Sequence, residues 1–446
     1  MALITTDRRT LVVGLGQTGL SCVRYCHAQG RDLAVVDSRA NPPGLAALKA
    51  EFPDLHCHTG PFDADFFRGF NELLVSPGIS LQEPALQAAQ RAGARISGDI
   101  DLFAQVAKAP IVAITGSNGK STVTTLVAQM AEEAGVRVAA GGNLGPPALE
   151  LLDDDVELYV LELSSFQLET TENLSAKAAT VLNISDDHMD RYPDRMAYFQ
   201  AKHRIFQNCE IAVVNQDEPL SQPLLRDGMK PLLFALDRVN PGTFSTREDE
   251  DGQWITWGMD NVLHTRELSL RGRHNLSNIL AALSLGKAAG LPLEPMLRAA
   301  CRFPGLPHRC QTVRVHQGVT WVNDSKGTNV GATAAALESL ASGDGRIILI
   351  AGGDGKGADF APLRAGVRAH CRCVIVLGRD GPRLQETLRQ EAPVLPVRTL
   401  DEAVRTAAGE AREGDLVLLS PACSSLDMFI NYEARGDAFA LAVEGL

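Results

Sequence analysis

The run IVAITGSNGKST, residues 111–122, constrains the chain more than any other segment, because it joins an apolar strand to a glycine turn, a lysine and two hydroxyls. In the loop Gly116, Ser117, Asn118, Gly119, the glycines let backbone N–H groups crowd round phosphate oxygens. Lys120 then supplies a point charge to the outer phosphates, and Ser121 or Thr122 offers a hydroxyl to Mg²⁺. A helical pattern over 123–134 follows, so the phosphates would meet the positive end of a helix dipole. Ile114 stands where the strict motif has glycine, and the match is therefore partial. A simple tight turn would account for the glycines but not for the lysine and hydroxyls behind them.

A chain of 446 residues is too long for one ordinary core and implies two or three domains. Strand and helix patterns alternate almost throughout, the signature of parallel sheets with crossover helices. Three starts are visible. The first is LVVGLGQTG (11–19), a strand followed by Gly14, Gly16 and Gly19 in dinucleotide-fold spacing, with a second strand over 33–37 ending in Asp37 where such folds contact a ribose hydroxyl. The second is the phosphate loop. The third follows FPGLPHR (303–309), whose two prolines mark a linker, and carries strands near 347–351, 373–377 and 416–420. The first start alone would suggest NAD; hydride transfer has no use for a triphosphate loop a hundred residues on, so a different nucleotide is the competing reading.

Net charge of -12 argues against a general nucleic-acid binder, and 45% apolar with 22% charged residues is ordinary for a soluble globular enzyme. The beginning of the chain has no long apolar core and no apolar run reaches membrane length, so neither export nor anchoring is expected. Nine cysteines form no Cys-x-x-Cys pair, which points to a reducing, cytoplasmic compartment; Cys371 and Cys373 read as small buried apolar residues.

Further polar positions stand at strand and helix ends. Glu162 closes an apolar strand in YVLELSSFQL (159–168), a place that suits a Mg²⁺ ligand, with a helix N-cap or surface acid as the plainer alternative. His188, between Asp187 and Asp190 in NISDDHMDRYP (183–193), is a metal or substrate ligand candidate. Lys202 lies in a helical stretch, 197–206, with Phe199 and Phe206 facing the core; taken by itself it is an exposed lysine. Asn275 and Asn278 share a helical face, able to read a base edge or simply to cap the helix.

The phosphate loop, Glu162, His188, Lys202, the 274–278 segment, Arg309 and NDSKGTN (323–329), in this order and over essentially the whole chain, resemble the Mur ligase family of ATP-dependent amide-forming enzymes. The segments 14–19, 161–168, 187–193, 352–360 and 420–427 look like those of members that add D-glutamate to UDP-N-acetylmuramoyl-L-alanine in peptidoglycan precursor synthesis. The resemblance implies three α/β domains: an N-terminal Rossmann-like domain (1–98) for the uridine substrate, a central P-loop ATPase-like domain (99–305) and a C-terminal Rossmann-like domain (306–446) for the amino acid. It implies a cytoplasmic monomer and a reaction through an acyl phosphate, with Lys120, His188 and Lys202 catalytic.

By the same resemblance, ATP meets residues 116–122 together with Asn275, Asn278, Arg309, Asp324 and Lys326. The uridine substrate meets Gln17, Thr18, Asp37, Ser38, Arg39, Ser76, Pro77, Gly78, Asn143 and His188. D-Glutamate meets Thr328, Lys356, Ser425, Leu426 and Tyr432. Two Mg²⁺ sites are implied, one on Ser121 and Glu162, the other on His188 and a carbamylated Lys202. Gly327 replaces a small side chain of the family pattern, an exchange expected to be without consequence. Another Mur ligase, a folate polyglutamate ligase, a dehydrogenase and a nucleotide-gated binding protein are the alternatives.

Overall fold

The computed structural model describes residues 9–185, 187, 191–224, 226–270, 272–341 and 345–446. They form two compact units, one of Met1–Asn183, Tyr198–His264 and Ile279–Ala300, the other of Ile184–Ala197, Thr265–Asn278 and Cys301–Leu446.

Two sheets build the first unit. Strands β1 (Arg9–Val13), β2 (Asp32–Asp37), β3 (Cys57–Thr59), β4 (Glu72–Val75) and β5 (Arg95–Ser97) make a parallel sheet in the order β3-β2-β1-β4-β5. Strand order reverses between β1 and β4, and in such sheets a crevice for ligands opens at the carboxyl ends of that pair. Those ends are Gly14 and Ser76, whose hydroxyl donates to the Gly14 carbonyl at 2.9 Å. Gly19 cannot carry a side chain, because a Cβ there would lie 1.9 Å from the Gly14 carbonyl oxygen.

The second sheet contains β6 (Ile111–Thr115), β7 (Val138–Gly142), β8 (Leu158–Glu162), β9 (Ala178–Val181), β10 (Ile211–Asn215), β11 (Lys230–Phe234), β12 (Phe244–Asp249), β13 (Gly252–Trp257) and β14 (Asp260–His264). Its order is β14-β13-β12-β11-β10-β9-β6-β8-β7, so β6 lies between β8 and β9 and the three carboxyl ends are neighbours. Unlike the all-parallel reading of the sequence, β12, β13 and β14 are antiparallel. The turns at Gly252 (φ 121) and Gly258 (φ 58) are too short for the crossover that a parallel pair needs.

In the second unit β15 (Gln311–His316), β16 (Val319–Asn323), β17 (Ile347–Gly352), β18 (Cys371–Leu377), β19 (Val394–Pro396) and β20 (Leu416–Leu419) follow the order β15-β16-β20-β17-β18-β19, parallel except for the β15–β16 pair. Cys371 and Cys373 are both buried, as read from sequence; a register shift between Ile347 and Ile348 sends them into cores on opposite faces. Of the aromatic residues around Lys202, Tyr198 and Phe206 enter the core, while Phe199 is half-buried and stacks on His203 at 3.8 Å. No helix among the described residues is long and apolar enough to cross a membrane.

Asp99 begins the helix Asp99–Val106 and is buried; one oxygen takes the Gln167 amide at 3.3 Å and the other takes no hydrogen bond. Burial pushes its carboxyl up to about 6, against the hydrogen bond from Gln167. The unfolded chain loses this proton near pH ~4, so the folded state is progressively penalised as pH rises from there through about 6. Asp99→Asn is expected to exceed the parent in stability by about 2 kcal/mol at pH 8, allowing for an unpaired amide, and to match it near pH ~4. Denaturant titrations at the two pH values check this, and an advantage independent of pH would contradict it.

Candidate active site

At the end of β6 the buried Thr115 leads into a loop that turns at Gly116 (φ 154) and Gly119 (φ 82) before the helix Lys120–Glu133. Gly119 is the N-cap and no side chain caps the helix, which leaves the amide end to a ligand. Ser121 and Thr122 are buried in the first turn. Asn183, just past β9, fastens the loop from the neighbouring strand end: its side chain accepts from the Asn118 amide at 2.8 Å and donates to the Asn118 carbonyl at 3.1 Å, and its carbonyl accepts from the Ser117 amide at 2.9 Å. The sequence reading gave Asn183 no role, although its place directly after an apolar strand was a usable signal.

Two lysines converge on one oxygen. Lys120 Nζ donates to the Gly116 carbonyl at 2.9 Å and to the Ser117 carbonyl at 2.9 Å, while Lys202 Nζ donates to the same Gly116 carbonyl at 2.8 Å. Lys202 is 2% exposed, which corrects its reading as an exposed lysine. It comes off the helix Arg195–His203, lies 3.5 Å from Thr115 Oγ1, and rests over the Tyr198 ring at 4.6 Å. Tyr198 in turn places its hydroxyl 3.2 Å from Ser117 Oγ, another contact the sequence reading missed. His188 lies outside the described residues.

Glu162 closes β8, in register with Ile114 of β6, and is buried. It is not a helix cap: Ser164 caps the next helix, with Gln167 completing a capping box. One carboxylate oxygen accepts from Asn143 Nδ2 at 2.6 Å; the other is shielded and takes no hydrogen bond. A buried carboxylate oxygen without a donor is costly unless a cation completes it, so this residue fits a hard metal ion. Asn143, expected nearer the sugar, here orients that carboxylate.

At the first crevice, Gln17 and Thr18 start the helix Gln17–Ala28, while Ser38, Arg39 and Gly78 are exposed and Ser76 and Pro77 half-buried. Asp37 is fully buried, and its oxygens accept from the Leu15 amide at 2.7 Å, the Arg39 amide at 2.9 Å and the Arg39 guanidinium at 2.9 and 2.7 Å. Burial alone would raise its carboxyl, but the bonds from Arg39 and Leu15 hold it below the ordinary value. Asp37 therefore braces Arg39 and the glycine loop, and Arg39 is the cation presented to solvent.

In the second unit, Asn278 Nδ2 lies 3.4 Å from Asn275 Oδ1, so the amide pair does share a face. Asp324 is buried after β16 and accepts from Ser420 Oγ at 2.7 Å and the Cys310 amide at 3.2 Å; burial, opposed by these bonds, pushes its carboxyl up to about 6. Gly327 matters more than its sequence suggested, since a Cβ there would come within 2.7 Å of both Asp324 Oδ2 and Ser420 Oγ. Lys326 Nζ sits over the Tyr432 ring at 4.2 Å, which joins a residue expected at ATP to one expected at D-glutamate. Lys356, half-buried, adopts a left-handed conformation (φ 48) in the loop after β17. Thr328 and Arg309 are half-buried, Ser425 is buried, and Leu426 is exposed.

Family models match along the chain: the Mur ligase MurD-like N-terminal domain at residues 8–98, the Mur ligase middle domain at 114–286 and the Mur ligase glutamate ligase domain at 308–423. The chain belongs to the Mur ligase family. It is 61% identical over 446 residues to the UDP-N-acetylmuramoylalanine--D-glutamate ligase of Marinobacter nauticus, and 56% identical over 447 residues to the enzyme of that name from Pseudomonas aeruginosa, covering 100% of each chain in both cases. Its fold is shared with the UDP-N-acetylmuramate-alanine ligase of Thermotoga maritima (TM-score 0.61, 19% identity, 98% of this chain and 99% of that one). A MurF ligase from the same organism in complex with ADP gives a TM-score of 0.58 at 15% identity, over 100% of this chain and 97% of that one.

Two ammonium groups on one carbonyl beside an uncapped helix end make a polyanion site. Inorganic tripolyphosphate at ~100 times its Kd is expected to stabilise the protein by about 2.7 kcal/mol. Lys120→Ala should lose most of that gain in thermal melts; equal stabilisation of the variant would contradict the assignment.

Proposed function

We propose that this chain adds D-glutamate to UDP-N-acetylmuramoyl-L-alanine with hydrolysis of ATP to ADP and phosphate, forming an amide bond in peptidoglycan precursor synthesis in the cytoplasm. The full-length 61% identity to a ligase of that name carries the reading. Residues 1–98 bind the uridine substrate, 99–305 hold ATP, and 306–446 bind the amino acid, in a protein that acts as a monomer.

Two anions, a carboxylate and a triphosphate, have to react, so charge neutralisation is the main catalytic task. Lys120, freed from the Gly116 and Ser117 carbonyls when a triphosphate enters, follows the transferring phosphoryl group as the alanyl carboxylate becomes an acyl phosphate. The helix end at residues 119–122 orients the phosphate chain, while Asn275, Asn278, Arg309, Asp324 and Lys326 hold the rest of the nucleotide. The D-glutamate amine then attacks the acyl carbon and phosphate leaves. Lys356 supplies the cation that a dicarboxylate needs, with Thr328, Ser425, Leu426 and Tyr432 around it. Gln17, Thr18, Asp37, Ser38, Arg39, residues 76–78 and Asn143 take the uridine diphosphate sugar, which displaces the NAD reading of the glycine motif.

Ser121 and Glu162 would hold one Mg²⁺ and His188 with Lys202 a second; bound there, Mg²⁺ supplies charge neutralisation to the phosphates. For that role Lys202 has to be anionic. Its neutral amine adds CO₂ to give a carbamate and a proton, and the product has two anionic oxygens. Support comes from the shared acceptor: Lys120 and Lys202 nitrogens on one carbonyl oxygen are at most about 6 Å apart, so a carbamate on Lys202 would lie close enough to attract Lys120.

The purified protein is expected to release phosphate from ATP only when both UDP-N-acetylmuramoyl-L-alanine and D-glutamate are present. Equal turnover with L-glutamate or a diamino acid would overturn the substrate assignment. Lys202→Ala is expected to be nearly inactive and to recover partly with added short-chain carboxylic acids. Lys202→Arg keeps the positive charge and should stay inactive; near wild-type activity in that variant would exclude the carbamate.

A further inference from the structure

Arg435, on the helix Tyr432–Glu444, is 4% exposed and has no carboxylate within ion-pair distance among the described residues. Burying a guanidinium without a counter-ion is expensive, and its hydrogen bonds show where that cost is offset. Nε donates to Ser325 Oγ at 3.0 Å and Nη2 to the Ser325 carbonyl at 2.8 Å. Nη1 points the other way, to the Cys423 carbonyl at 3.2 Å and the Gly352 carbonyl at 3.5 Å. Ser325 Oγ passes the connection back to the Tyr432 carbonyl at 2.8 Å.

Each acceptor belongs to a different loop at the carboxyl edge of the third sheet. Ser325 lies between Asp324 and Lys326; Gly352 ends β17, four residues before Lys356; Cys423 is two residues before Ser425. The planar fork reaches all three at once, which an ammonium on a flexible stem cannot do. We infer that Arg435 is a positioning residue that sets the spacing between the nucleotide loop and the two amino-acid loops, and so the placement of bound D-glutamate relative to bound nucleotide within this unit. The inference rests on the proposed function for the identity of those loops' ligands.

The test is initial-rate kinetics of phosphate release with each substrate varied in turn. Arg435→Lys keeps the charge and is expected to raise KM for D-glutamate and ATP by ~10- to 100-fold, the scale of an ångström-level misplacement, while KM for the uridine substrate stays unchanged. Added guanidinium, but not sodium chloride at equal ionic strength, should partly restore Arg435→Ala. Unchanged KM values in folded Arg435→Lys would overturn the inference, as would a parallel loss for all three substrates together with a lowered melting midpoint. Should neither Arg435 variant fold, Ser325→Ala removes only the hydroxyl that links the guanidinium to Tyr432. It is then expected to raise the same two KM values about 5-fold, and no change would overturn the inference. Wild-type protein that shows no D-glutamate-dependent phosphate release would instead remove the functional reading itself.

Discussion

The carbonyl oxygen of Gly116 is the point on which the phosphate-loop end of the first unit is organised. It can accept Lys120 from one side and Lys202 from the other because Gly116 turns the chain at φ 154 immediately after a fully buried strand. The strand fixes the carbonyl, Asn183 fixes the loop beyond it, and Tyr198 contacts both Ser117 and the ammonium of Lys202. What results is a cradle that brings two ammonium groups to one carbonyl beside a helix N-terminus, an arrangement suited to a polyanion.

Buried carboxylates divide into two kinds, those whose oxygens are occupied by protein donors and those that keep an oxygen bare. Asp37 has its oxygens occupied by backbone amides and Arg39, and so braces Arg39 and the glycine loop. Asp324 is held by Ser420 and the Cys310 amide, with Gly327 packed against it. Glu162, like Asp99, keeps one shielded oxygen bare, but it does so at the carboxyl end of β8 while Asn143 pins the other oxygen. Unsatisfied buried oxygens are expensive, and their persistence at the carboxyl edge of a parallel sheet marks where a ligand belongs.

Local features were readable from the chain. The phosphate loop, the strands leading into Gly14 and Gly116, and the burial of Cys371 and Cys373 follow from short-range pattern, because apolar periodicity and glycine conformations are set by near neighbours. The capping alternative for Glu162 was also decidable, since Ser164 and Gln167 carry the capping-box spacing. Lys202 was misread for a different reason: its burial depends on Thr115 and Gly116, more than eighty residues away, and one polar helix face looks like another. Arg435 escaped notice similarly, as its three acceptors are brought together only by the parallel order of β16, β20 and β17. The antiparallel turn around β12 to β14 was signalled by Gly252 and Gly258 but outweighed by the surrounding parallel pattern.

The central claim is that the charge on Lys202 is inverted in the working protein, and ¹³C NMR of the protein equilibrated with ¹³C-bicarbonate addresses it most directly. The account predicts one carbamate resonance that is absent from Lys202→Ala and retained in Lys120→Ala. Wild-type protein that turns over while showing no such resonance would contradict it and leave Lys202 an ordinary cation beside the phosphates.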